Sequence, residues 1–142
     1  FIAVLIMVEL IFPIEGIDNN SKLYYRIHKQ YFIDSDLLPS VFRETGEGEQ
    51  KSMSTDWGKY STPNESRKRA RKPEDNGIVH FISGKLRNLN LSVKHAPTND
   101  NKAHTNVKGN DTPIEQDEEL RLKLLDEIEW DIYPDEPLVS EM

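Results

Sequence analysis

Alternation with a period of two constrains this chain more than any other feature. Leu89, Leu91 and Val93 alternate with Asn90, Ser92 and Lys94, and Leu23, Tyr25 and Ile27 alternate with Tyr24, Arg26 and His28. Successive side chains of a strand point to opposite faces, so each run predicts a strand with one buried side. The predicted strands cover residues 22–29 and 86–95. A further strand over 78–83, followed by a turn at Gly84, is predicted to pair with 86–95 as a hairpin. The apolar run at residues 1–12 is too short to cross a bilayer as a helix, which takes about 20 residues. Residues 8–12 are read as a buried strand, and residues 1–6, ahead of Met7, as a non-native extension. If that strand is an edge, it is the expected surface for a homodimer.

Two start signals predict helices. Thr62-Pro63-Asn64-Glu65 and Thr112-Pro113-Ile114-Glu115 each place a hydroxyl before proline, with a glutamate three residues after the threonine. Such a capping box satisfies backbone N–H groups that have no partner inside the helix. The first helix is expected to end near Lys72, because Pro73 cannot continue it. The second is expected to reach Trp130, with Leu120, Leu124, Leu125 and Ile128 on one face. The sixteen residues 96–111 between the last strand and this helix read as a long polar loop. The expected class is therefore α+β, a small mostly antiparallel sheet with two helices packed on one face. Residues 1–130 are read as one globular domain and 131–142 as an acidic tail.

Charge divides the 142-residue chain unevenly. Residues 115–142 hold eleven acids and two bases, a net of −9 against −7 for the whole, which leaves the first 114 residues at +2. The acidic end is expected to favour solubility or a basic protein partner, and it argues against nucleic acid there. Cysteine is absent. That excludes disulfides, thiolate zinc sites and a cysteine nucleophile, and it fits a cytoplasmic protein.

Four groups carry candidate chemistry. Arg26 and His28 share a strand face, where arginine can grip a phosphate or carboxylate and histidine can move a proton. His95 and His104 bracket a loop and could hold a metal with Asp100 or Asp56, although the spacing is that of no zinc motif. Asp56, Trp57 and Tyr60 suggest a pocket wall with a stacking surface, and Asn101 adds an amide in the long loop. Arg67, Lys68, Arg69 and Arg71 form a basic run that could contact DNA or RNA phosphates, or pair with the acidic tail. No phosphate-binding glycine loop, dinucleotide fingerprint or nucleophile elbow is present. The order Tyr25-Arg26-x-His28 followed by Trp57-x-x-Tyr60-Ser61-Thr62 resembles ADP-ribosyltransferase folds. That resemblance implies an Arg or His on the first strand and an aromatic-Ser-Thr element on the second; the family's late catalytic glutamate has no counterpart placed on this chain. The functional expectation is a cytoplasmic binding or accessory protein. The alternative is a nucleotide- or nucleic-acid-directed enzyme, a hydrolase or transferase with or without a metal, using Arg26, His28, His95 and His104.

Overall fold

The computed structural model describes residues 12–139. The predicted strand at 8–12, and with it the dimer surface, falls outside the described residues except for Phe12. The chain runs through β1 (Lys22–His28), a short hairpin of β2 (Phe32–Ile33) and β3 (Asp36–Leu37), and β4 (Met53–Trp57). Helix α1 (Pro63–Lys68), β5 (Asn76–Ile82), helix α2 (Ser83–Asn88), β6 (Leu91–His95) and β7 (His104–Gly109) follow. Helix α3 (Glu118–Glu127) and β8 (Glu129–Ile132) close the fold. Six strands form one sheet in the order β6-β7-β4-β1-β5-β8, and every neighbouring pair is antiparallel. The fold class is α+β, as the sequence predicts. Among the described residues no helix is long and apolar enough to cross a membrane.

One face of the sheet carries the core. Leu23 and Ile27 of β1, Val79 and Phe81 of β5 and Val93 and Val107 of β6 and β7 are buried there with Phe42, Leu86, Ile114 and Leu124. Helices α2 and α3 supply Leu86 and Leu124 to this face. Helix α1 lies on the other face, over β1 and β5, where it covers the buried Ile78. The two helices announced by capping boxes are therefore on opposite faces, and the core face gains a helix the sequence reading assigned to a strand.

That assignment is the main correction. Residues 86–95 were predicted as one strand paired with 78–83, but only Leu91–His95 is a strand, and it pairs with β7 at the opposite end of the sheet. Leu86 and Leu89 are three residues apart, a helical spacing, and α2 buries Leu86. The helix stops because Asn90 takes a left-handed conformation, φ 62°, which asparagine tolerates and which sets the chain off in a new direction. The predicted loop 96–111 likewise contains β7. Its buried face is only Thr105 and Val107, too little apolar content to stand out in a polar stretch.

The first cap forms by its threonine half. Thr62 Oγ1 accepts from the Glu65 N–H at 3.2 Å and its hydroxyl donates to Glu65 Oε1 at 3.2 Å. Thr62→Ala is expected to lower stability by about 1 kcal/mol, read by urea denaturation, because that N–H loses its only cap. The helix stops four residues earlier than predicted, at Lys68, since the Arg69 side chain turns to Asp56 and Ser61. The second box does not form. Asp117 caps α3 by accepting from Leu120 N–H at 3.0 Å, while Glu115 accepts from the Glu44 N–H at 3.1 Å. The helix ends at Glu127 rather than Trp130, and residues 129–132 join the sheet as β8 with Ile132 buried.

Candidate functional site

The ladder between β1 and β4 is short. It pairs Leu23 with Trp57 and Tyr24 with Asp56 and goes no further, although β1 continues to His28 and β4 begins at Met53. The strands splay apart beyond Tyr24, and a cleft of about 320 Å³ opens between them. Arg26, His28, Arg43, Thr45, Ser54 and Asn76 supply its polar lining, and Tyr25, Tyr31 and Val41 its apolar one. Tyr25 is fixed by its own hydroxyl, which donates to Val41 O at 2.5 Å. Burial pushes its pKa up to about 12, so it stays neutral.

Arg26 and Arg43 both line this cleft. Arg26 makes a single long bond, 3.4 Å, to Ser66 O, and Arg43 lies over the Tyr31 ring at 6.0 Å. Neither has a carboxylate at ion-pair distance among the described residues. Both are exposed, and two guanidinium groups on one cleft favour an anion there.

A second polar assembly adjoins this cleft on the non-core face. Tyr24 pairs across the sheet with His80 and with Asp56, and Asp56 with His104. Directly paired residues share a face, so these four form a row over β5, β1, β4 and β7. Asp56 is 6 % exposed and accepts from Asn101 Nδ2 at 2.9 Å and from Arg69 at 3.0 Å. Arg69 also donates to Ser61 Oγ at 2.9 Å, which lies 2.8 Å from Ser66 Oγ. Asp56 and Asn101 are thus brought together, and their bonds tie the β6–β7 loop to the end of α1. His80 lies between Asp131 at 2.8 Å and Glu129 at 3.3 Å, a buried histidine the sequence reading missed inside an apolar run.

Trp57, Tyr60 and His95 form a third group, with ring centroids 5.2–6.1 Å apart. Glu15 receives the Tyr60 hydroxyl and the Lys59 ammonium, and Lys102 sits 4.1 Å over the Tyr60 ring. These partners occupy the surface that Trp57 and Tyr60 were expected to offer a ligand.

The predicted catalytic set does not converge. His95 is paired with Thr105 on the core side, while its neighbour His104 faces the other way. From β1 to β6 is three inter-strand spacings, about 14 Å, and His28 lies a further three residues along its strand from the row of His95, about 10 Å. His95 cannot join a metal site either. Its Nδ1 accepts from the Glu15 N–H at 3.0 Å and its Nε2 contacts Lys102 O at 2.7 Å, so both ring nitrogens are engaged. Among the described residues no cluster of three metal-ligating side chains occurs. Arg26 and His28 do share the cleft. His28 also accepts from Gln30 N–H at 3.0 Å, which orients its ring.

The basic run does not form one surface. Arg67 is 2 % exposed, with its donors on the carbonyls of Pro73, Asn76, Glu136 and Pro137. Arg69 is held by Asp56, and Lys68 and Arg71 are exposed. Arg67 does meet the C-terminal segment, but on the backbone carbonyls of Glu136 and Pro137 and not on the carboxylates expected to offset its charge. Tyr60-Ser61-Thr62, which the ADP-ribosyltransferase resemblance implied for a second strand, instead forms the turn and cap leading into α1. Sequence reasoning missed Arg43, Ser54 and Tyr31. Ser54 was readable, two residues before Asp56 and so on its face, whereas nothing in the spacing marked Arg43. Set against known proteins, the chain matches no family model, no curated protein and no solved structure.

Proposed function

We propose that this is a binding protein for a small phosphorylated ligand of nucleotide type, held in the cleft between β1 and β4. The observation that carries this reading is the pair Arg26 and Arg43, two guanidinium groups on one cleft with no carboxylate at ion-pair distance among the described residues. Planar guanidinium matches the oxygens of a phosphate in a way that an ammonium does not. Ser54, Thr45 and Asn76 add neutral hydrogen-bonding groups, and the half-buried Tyr31 ring offers a face for a base.

Isothermal titration with AMP, ADP, UMP and inorganic phosphate tests it. At least one nucleotide is expected to bind, more weakly as salt rises. Arg26→Ala and Arg43→Ala are each expected to weaken binding about 10- to 100-fold, the effect of one lost charge-assisted contact. Lys85→Ala, on α2, is expected to leave the affinity unchanged. Absence of binding across the panel, or binding indifferent to both arginine substitutions, would overturn the reading.

A further inference from the structure

His104 is set up to accept a proton beside the proposed phosphate site. A chain of side-chain bonds leads to its ring. The Ser52 hydroxyl donates to Asn106 Oδ1 at 2.8 Å, and Asn106 Nδ2 donates to Gln50 Oε1 at 3.2 Å. Asn106 therefore presents its oxygen to the imidazole, and His104 Nε2–H donates to it at 3.2 Å. The lone pair is left on Nδ1, which has no hydrogen-bond partner among the described residues and is not sealed from solvent. The paired Asp56 carboxylate is itself an acceptor and offers Nδ1 no donor; its oxygens accept from Asn101 and Arg69.

The surroundings keep this imidazole neutral. Burial lowers its pKa below the usual 6.5, and Arg26 on β1 and His95 on β6 lower it further. Asp56 on β4 and Asp100 in the β6–β7 loop oppose the shift without reversing it. Ser54, which lines the cleft, shares its face of β4 with Asp56 two residues on, and Asp56 pairs with His104, so the cleft and the imidazole lie on neighbouring rows of one sheet face.

We propose that His104 is the general base of a transesterification on short ribonucleotide phosphodiesters, a proposal that rests on the phosphate-binding reading above. The observations favour this class because the substrate brings its own nucleophile. Ser54 is bonded to no base among the described residues, and the chain has no cysteine. As the 2′-hydroxyl proton passes to Nδ1, the 2′-oxygen forms a bond to phosphorus and the bond from phosphorus to the 5′-oxygen breaks. The departing alkoxide takes a proton from solvent, and His104 later returns its proton to solvent. The products are a 2′,3′-cyclic phosphate and a free 5′-hydroxyl, with no change of oxidation state. The Arg26 guanidinium offsets the charge that builds on the phosphoryl oxygens.

The test uses uridylyl-adenosine and its 2′-deoxy counterpart, with cleavage followed by chromatography and binding by titration. The wild type is expected to bind both and to cleave only the ribonucleotide. His104→Ala and His104→Gln, checked for folding by thermal denaturation and purified in parallel to control for contaminating nuclease, are expected to lose about 100-fold or more in kcat. The wild-type rate is expected to rise with pH through a value below 6.5 and then level off, since the neutral imidazole is the active form. Binding of the deoxy compound without cleavage of the ribonucleotide would overturn this proposal and leave the phosphate-binding reading standing. Wild-type cleavage rates in both His104 variants would do the same. Failure to bind either compound would overturn this proposal, and the phosphate-binding reading falls with it only if the mononucleotides and phosphate also fail to bind.

Discussion

Arg67→Met is expected to cost about 4 kcal/mol, the largest loss of any single change in α1. The four carbonyls that now receive the guanidinium belong to three separate stretches of chain: the turn at Pro73, the start of β5 at Asn76, and the segment after β8 at Glu136 and Pro137. Methionine fills much of the same volume and supplies no donor. Buried acceptors left without a partner cost about 1–3 kcal/mol each, and some of these carbonyls regain water as the C-terminal segment loosens. Urea denaturation reads the loss. Hydrogen exchange reads its location, which is expected at residues 133–139 and in the first turn of β5. Arg67→Lys is expected to recover only part, because an ammonium cannot span acceptors that the planar group reaches in different directions. A Met variant with wild-type stability would show that these carbonyls are served equally well by solvent.

Asp56→Ala is expected to cost about 3 kcal/mol, since it leaves the Arg69 guanidinium and the Asn101 amide without their shared acceptor. Arg69→Ala is expected to be comparably damaging, because it strands a carboxylate whose side chain is 8 % exposed. The double variant is expected to be less destabilised than the two losses added, with a coupling of about 1.5 kcal/mol or more for a pair in direct contact. Strict additivity would mean that the two residues stabilise the protein independently. The expected structural signature of Asp56→Ala is early exchange in the β6–β7 loop, where Asn101 Oδ1 otherwise accepts from the Ala103 N–H.

How far the sequence could be read depends on what each signal measures. Alternation in β1 reported its burial correctly, since Leu23 and Ile27 are sealed and Arg26 is exposed. The same rule failed over 86–95, because two leucines at a helical spacing were followed without a break by residues at a strand spacing. The Thr62 cap worked because nothing competes for its Glu65. The Thr112 box failed because Glu44 and Glu115 are drawn into the turn at 109–115, where Glu44 Oε2 accepts from the N–H groups of Gly109 and Ile114. Such contacts join residues about 70 positions apart, and no local pattern encodes them. For the site, Arg26 and His28 were legible as one face of one strand. The cleft itself was not, because it arises where a ladder stops, and the end of a ladder depends on both strands.

Strand order also governs how this chain can reach its native state. Tyr24 of the central strand pairs with Asp56 and His80, 32 and 56 positions later, and Thr55 pairs with Thr105, 50 positions later. Within the six-stranded sheet only β6 and β7 meet through a short connection. The entropy of closing long loops must therefore be spent before most of the backbone bonds can form. The consequence is slow, concerted folding on the millisecond-to-second scale typical of non-local sheets. During synthesis β1 and β4 must wait, with open edges, for strands that emerge much later, and that interval is when the chain is most exposed to pairing with other chains.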